Sequence, residues 1–169
     1  QETYKIGIHT MDELDVKGLP PEEMVKKLKE AVRDLIKANK FPVILGGEHS
    51  ISIAPVAAFR ESYEDLSVLY LDAHYDLRDE FNGSRLNHAC AARRISEMAP
   101  LVEVGVRSLS KEEKDFLNAP PPKHSIDIIS VYDILIEALW NDRVGRSLSK
   151  IVYISIVLDV FDPALVPAV

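Results

Sequence analysis

The sequence is poor in the features that mark secreted, membrane-spanning and nucleic-acid-binding proteins. Its 169 residues contain one cysteine, Cys90, so no disulfide can form within the chain, as is usual in the reducing cytoplasm. No apolar run reaches the roughly 18 residues that a membrane helix needs. The formal net charge of −7 leaves no basic excess for nucleic acid. We therefore expect a cytoplasmic protein that works without a membrane or nucleic acid.

Apolar runs alternate with helical patterns along the chain. The apolar runs predict strands at residues 42–45, 67–71, 101–106, 125–130 and 151–158. Helices are predicted at residues 22–38, 50–60 and 89–98, after a capping box at 110–113, and at 131–140. The strands are apolar throughout, which is typical of a parallel sheet covered on both faces. Residues 1–169 therefore form one predicted α/β domain, and the prolines at 120–122 predict a rigid turn within it.

The strongest functional signal follows the run at 67–71, where the chain reads Asp72-Ala73-His74-Tyr75-Asp76. If the chain stays extended, Asp72, His74 and Asp76 point to one side. Carboxylates and imidazole without thiolate suit manganese, iron, cobalt or zinc. The alternative is a polar turn after a strand. Three ligand-type residues at a strand's carboxyl end favour a metal site, because open α/β sheets place their chemistry there.

Two other segments bring ligand-type residues to strand ends. Gly46-Gly47-Glu48-His49-Ser50 permits a tight turn that places His49 at the mouth of the sheet. Taken alone, such a histidine is more often a cap or a packing residue. Asp159 ends the run at 151–158 and is a ligand candidate. His88, after a polar loop, is either a proton carrier or a surface histidine.

Together these motifs resemble the arginase/agmatinase (ureohydrolase) family. Gly-Gly-Glu-His-Ser, Asp-Ala-His-Tyr-Asp and Ser-x-x-x-Asp-x-x-Asp-Pro occur in the family's order and approximate spacing, and residues 76–89 look most like the agmatinase branch. The resemblance covers essentially the whole chain, which corresponds to the middle of a typical member. It implies a three-layer α/β/α arginase-like fold with a parallel sheet, incomplete here at both ends.

The resemblance also implies a metal centre with two Mn²⁺ ions. His49 and Asp76 would hold one ion, His74 and Asp159 the other, and Asp72 would bridge both. Water activated by such a pair attacks the guanidinium carbon and gives urea and an amine. Asp76 would pass a proton to the leaving amine, and His88 would relay protons to solvent.

The resemblance implies biological expectations as well. The substrate would be a small cationic guanidino compound, agmatine foremost, and the reaction would serve polyamine biosynthesis. The protein would form a homo-oligomer, a trimer or a hexamer.

One position departs from the family pattern. The third motif of the family reads Ser-x-Asp-x-Asp-x-x-Asp-Pro, and Val157 stands where its first aspartate belongs. Strand alternation puts Val157 on the same side as Ser155 and Asp159, toward the metals. Because ligand charge and number set metal affinity, we expect weaker binding of one or both ions and lower turnover.

Two alternative functions stay open. The first is a non-catalytic or fragmentary homologue that keeps the fold and at most one metal. The second is a single-zinc hydrolase of the related deacetylase fold, with an Asp-His-Asp site. The Gly-Gly-Glu-His-Ser motif and the loop that carries His88 argue against the second.

Overall fold

The computed structural model describes residues 2–120 and 122–167. Four parallel strands form one sheet in the order β3-β2-β1-β4. The strands are β1 (Leu66–Leu71), β2 (Leu101–Val106), β3 (Ile126–Ser130) and β4 (Ile151–Ile156). The helices are α1 (Pro21–Lys37), α2 (Ile53–Ser62), α3 (Ala91–Ser96), α4 (Lys111–Asn118), α5 (Val131–Ile136) and α6 (Trp140–Ser147). Short 3₁₀ turns occupy Thr3–Ile6, His49–Ser52, His88–Cys90 and Leu158–Val160.

Helices cover both faces of the sheet. On one face, Val56 of α2 and Ile95 of α3 pack with Val68 and Leu66 of β1 in the larger apolar cluster. On the other face, the smaller cluster of Val102, Val104 and Ile129 is covered by Ile134, Trp140 and Val144 from α5 and α6. The predicted three-layer α/β/α architecture with a parallel sheet is confirmed. Both clusters draw on apolar strands, as a sheet covered on both faces requires.

Most predicted elements are present with shifted ends. The strand predicted at 101–106 matches β2, whose six residues are all buried. The capping box is formed: Ser110 Oγ accepts from the backbone N–H of Glu113, and the Glu113 carboxylate accepts from the N–H of Ser110. The helix predicted at 131–140 is wrong in extent, because α5 ends at Ile136 and a second helix, α6, begins at Trp140. The proline turn predicted at 120–122 includes Pro121, which lies outside the described residues.

The strand predicted at residues 42–45 is wrong. This segment has no ladder hydrogen bonds to the described strands, and the Phe41 and Leu45 side chains are 92% and 91% exposed. An apolar run indicates a preference for burial, whereas a strand also needs a neighbour that accepts its backbone hydrogen bonds. In the described sheet β4 is an outer strand, and its residues Ile154 and Ile156 are more than half exposed.

Gly105 shapes the carboxyl end of β2. The strand register slips between Val104 and Val106, and Gly105 between them has a φ of +89°. A Cβ at this position would lie 2.5 Å from the Val160 side chain, so only glycine fits. This close approach lets the turn that carries Asp159 pack against β2 beside the backbone of Asp72.

Candidate metal centre

The carboxyl ends of β1 and β4 open into a groove of about 900 Å³. All sequence-predicted site residues line this groove: His49, Asp72, His74, Asp76, His88 and Asp159. The two loops after β1 and β4 and the turn before α2 supply five of them, and the 3₁₀ turn before α3 supplies His88. Parallel strands therefore bring together residues that are far apart in the sequence, because their carboxyl ends share one edge.

The first ligand group consists of His49, Asp72 and Asp76. Nδ1 of His49 lies 2.9 Å from Asp72 Oδ2 and 3.1 Å from Asp76 Oδ2. The ring of His49 stacks on Tyr70 at a centroid distance of 4.4 Å, and its Nε2 lies 2.7 Å from Ser155 Oγ. The Tyr70 hydroxyl donates to Asp76 Oδ2 at 2.9 Å. This group is largely enclosed, since Asp72 and Asp76 are both buried.

The electrostatics of this group favour a bound cation. Burial acts to lower the pKa of His49, but hydrogen bonds to Asp72 and Asp76 and their charges outweigh it and raise that pKa to about 9. Burial, with the negative charge of Asp72, raises the pKa of Asp76 above its usual value although the hydrogen bond from His49 opposes it. Without a metal, both ring nitrogens of His49 therefore carry hydrogen at neutral pH, and the ring is positively charged. A metal ion would replace one of these protons as the positive charge between the carboxylates.

The backbone around Asp76 is held in an unusual conformation. Asp76 has a φ of +50°, the left-handed region that aspartate tolerates better than most residues. Its carbonyl accepts from the N–H of Arg93 at 3.0 Å, and the next N–H, of Leu77, donates to the buried carboxylate of Glu113 at 3.0 Å. Glu113 thereby connects this loop to the start of α4. Such conformations cost energy and persist where surrounding contacts fix them, often at functional sites.

The second ligand group consists of Asp72, His74 and Asp159. Nδ1 of His74 lies 3.0 Å from Asp159 Oδ2 and 3.4 Å from Asp72 Oδ1. Asp159 Oδ1 also accepts from the N–H of Ala73 at 3.2 Å. The His74 side chain is 54% exposed, so this group is open to solvent. Asp72 belongs to both groups, with one carboxylate oxygen toward each histidine.

The three residues of the Asp72–Asp76 motif do not share one side through strand alternation, because β1 ends at Leu71. The loop bends instead, so Asp76 lies beside His49 and His74 lies beside Asp159. In each group the candidate ligand atoms lie within 4.8 Å of one another. Imidazole and carboxylate donors without sulfur fit a manganese-type ion, although the part each residue plays in metal binding stays a prediction.

Val157 lines the same groove as both groups. Its N–H donates to the carbonyl of Leu71 at 2.9 Å, and its extended backbone lies between β4 and the turn that carries Asp159. An apolar side chain therefore stands where the family pattern has a carboxylate. His88 lies elsewhere on the wall, is 55% exposed, and contacts Glu48 rather than either ligand group among the described residues.

Sequence reasoning assigned no role to three residues that support the site. Tyr70 and Ser155 contact His49 directly, and Glu48 joins the turn before α2 to the His88 loop. The first two carry a usable signal, since Tyr70 lies two residues before Asp72 and Ser155 two before Val157 on apolar strands. A polar group at such a position faces the same side as the candidate site and needs a partner.

Comparison with known proteins identifies the family of this chain. A sequence model of the Arginase family matches residues 1–169. The chain is 36% identical over 167 residues to an N(1)-aminopropylagmatine ureohydrolase of Thermus thermophilus, covering 98% of this chain and 55% of that protein. It is 41% identical over 149 residues to the agmatinase of Pyrococcus horikoshii, covering 86% of this chain and 49% of that protein.

Solved structures give the same result. The agmatine ureohydrolase of Thermoplasma volcanium superposes with a TM-score of 0.78 at 30% identity, covering 94% of this chain and 52% of the other. The chain thus spans about half the length of the relatives it matches. The predicted resemblance is confirmed: this chain belongs to the arginase family and has an arginase-like fold. Among the described residues, no helix combines the length and apolar character that crossing a bilayer demands.

Proposed function

We propose that the protein hydrolyses a small cationic guanidino compound, agmatine foremost, to urea and an amine, with two Mn²⁺ ions bound in the groove. The observation that carries this proposal is the position of Asp72 between two imidazole–carboxylate groups. A carboxylate shared in this way suits a pair of cations. Relatives named agmatinase and N(1)-aminopropylagmatine ureohydrolase support the substrate class.

In this proposal His49, Asp72 and Asp76 would hold one ion, and Asp72, His74 and Asp159 would hold the other. When bound, the pair supplies Lewis-acid activation of water at neutral pH. The carboxylates of Glu48, Asp72, Asp76, Glu113 and Asp159 line the groove, and Arg78 is the only lysine or arginine on its described wall. This excess of negative charge attracts cations to the groove, the two Mn²⁺ ions first.

The chain's own acid–base groups complete the reaction. Asp76 takes a proton from the attacking water as the C–O bond forms and delivers it to the departing nitrogen as the C–N bond breaks. Its buried position keeps bulk water from competing for that proton. His88, half exposed on the wall of the groove, exchanges protons with solvent.

A second candidate function is a non-catalytic homologue with at most one metal. Val157 on the wall of the groove favours it, because one carboxylate of the family pattern is absent there. The single-zinc deacetylase-like alternative receives no support from the relatives, which carry ureohydrolase names. We also propose that residues 1–169 are the central portion of a single ureohydrolase-like domain, in a cytoplasmic protein that serves polyamine biosynthesis and assembles as a homo-oligomer.

The test is urea release from agmatine by the manganese-loaded protein, with bound manganese measured in the same sample. We expect urea and amine in equal amounts, and loss of both in Asp76→Asn. Two bound ions per chain without urea would reject the hydrolase. One bound ion without urea would support the non-catalytic homologue, and zinc-dependent deacylation without urea would support the deacetylase-like reaction.

A further inference from the structure

One carboxylate connects two loops on the wall of the groove. Glu48 Oε2 accepts from the backbone N–H of Ser50 at 2.8 Å and also contacts the Ser50 hydroxyl, at the start of the 3₁₀ turn that carries His49. Glu48 Oε1 accepts from the backbone N–H of His88 at 2.5 Å and lies 3.1 Å from Nδ1 of the same residue. Capping the turn uses only Oε2, so the contacts of Oε1 need a separate explanation.

The contacts of Oε1 determine which nitrogen of His88 carries hydrogen. An ionised carboxylate can only accept hydrogen bonds, so Nδ1 of a neutral His88 must be the protonated nitrogen to bond with it. Nε2 is then left without hydrogen and can accept a proton. The same arrangement, a carboxylate that fixes the tautomer of a functional histidine, recurs in enzymes.

The surroundings restrict the ring further. Phe81 meets the His88 ring edge-on at a centroid distance of 5.8 Å, and the Arg78 guanidinium lies 5.1 Å from the Phe81 ring centre. Both Phe81 and His88 line the groove. A half-exposed imidazole can adopt several rotamers unless its contacts restrict it. Glu48 and Phe81 together hold the ring at the wall of the groove.

We propose that Glu48 is a positioning residue for proton transfer: it fixes the Nδ1–H tautomer of His88 and keeps Nε2 free to exchange protons with the groove. This inference rests on the proposed hydrolase function, in which His88 carries protons. Glu48 itself touches neither substrate nor metal in this scheme. Its effect passes through His88, so the two residues act as one unit.

The first test does not need turnover. Long-range ¹H–¹⁵N NMR of the purified full chain at about pH 8.5, where an ordinary histidine is neutral, distinguishes the two tautomers. His88→Asn identifies the His88 signals. We expect the Nδ1–H form in the wild type and a mixture, or the Nε2–H form, in Glu48→Met, which keeps the length of the side chain and removes both carboxylate oxygens. Glu80→Met, at an exposed position in the loop before His88 that forms no hydrogen bond or ion pair with the described residues, is the matched control and should leave the tautomer unchanged. An Nε2–H form in the wild type, or no change in Glu48→Met, overturns the proposal.

The second test uses urea release and separates positioning from folding. We expect kcat to fall by about tenfold or more in Glu48→Met with KM within about twofold, since proton transfer contributes to the chemical step. When His88→Asn is already present, replacing Glu48 should lower kcat little further, because the partner of Glu48 is already lost. An equal loss of kcat with and without His88→Asn would overturn the proposal. If the wild type releases no urea, the hydrolase function fails, whereas the NMR result still decides whether Glu48 positions His88.

Discussion

The two ligand groups differ in how firmly the protein holds them. His49, Asp72 and Asp76 form an enclosed group whose side chains also bond to Tyr70 and Ser155. His74 and Asp159 lie at the open side of the groove. Val157, on the wall of the same groove, takes the place of a carboxylate of the family pattern. Partners that orient metal ligands typically raise affinity by about 10–100-fold. We therefore expect the first group to bind manganese more tightly than the second.

The largest effect should come from the residue that the two groups share. Asp72→Asn removes a negative charge from both groups while keeping the side chain's size. We expect manganese affinity to fall by more than about 100-fold at both sites, beyond the upper range for an indirect partner. Isothermal titration calorimetry measures this. Glu64→Gln, on the exposed surface away from the groove, is the charge-matched control; a remaining tight site in Asp72→Asn would contradict the shared role.

Val157→Asp should reduce the difference in manganese affinity between the two ligand groups. The new carboxylate adds charge and a ligand to the groove two residues before Asp159, so we expect manganese affinity at the weaker site to rise by about tenfold or more and urea release to increase. Val157→Asn has a similar shape without the charge and should give a smaller gain. If Val157→Asp leaves both manganese binding and activity unchanged, the role assigned to this position is wrong.

Tyr70→Phe should lower the manganese affinity of the enclosed group alone. The change removes the hydroxyl that donates to Asp76 and contacts His49, while the ring stays stacked on His49. We expect about a tenfold loss of affinity at the tighter site and no change at the other. Stepwise titration with manganese distinguishes the two sites. Tyr132→Phe, at an exposed position on α5, serves as the control. Equal losses at both sites would show that the hydroxyl does not act locally.

Acidification should produce the smallest effect. The pKa of His49 is raised to about 9 in the metal-free protein, so below that pH a proton must leave before the imidazole binds a metal. Affinity at the enclosed site should therefore rise with pH up to about 9 and then level off. A drop from about pH 7 to 6.5 should weaken it about threefold, since one proton competes for the site. Calorimetry in buffers of different ionisation enthalpy should record about one proton released per chain near pH 7; no release would contradict the assignment.

Sequence patterns anticipated the sheet because its strands are apolar throughout and are separated by helical periodicity. They failed at residues 42–45, where an apolar run lacks a described strand beside it, and at the break between Ile136 and Trp140. The candidate ligands were recognisable from their residue types at strand ends. Their division into an enclosed and an open group was not, because it depends on the left-handed turn at Asp76 and on Glu113 reaching from α4.

The most direct test of unequal binding is the manganese content per chain after loading and desalting, measured by elemental analysis on the wild type, His49→Asn and His74→Asn. We predict that the wild type retains one ion, that His74→Asn also retains one, and that His49→Asn retains none, with a second ion binding only when free manganese is present. Two retained ions in the wild type, or equal retention in the two variants, would contradict the central claim that the enclosed group is the stronger site.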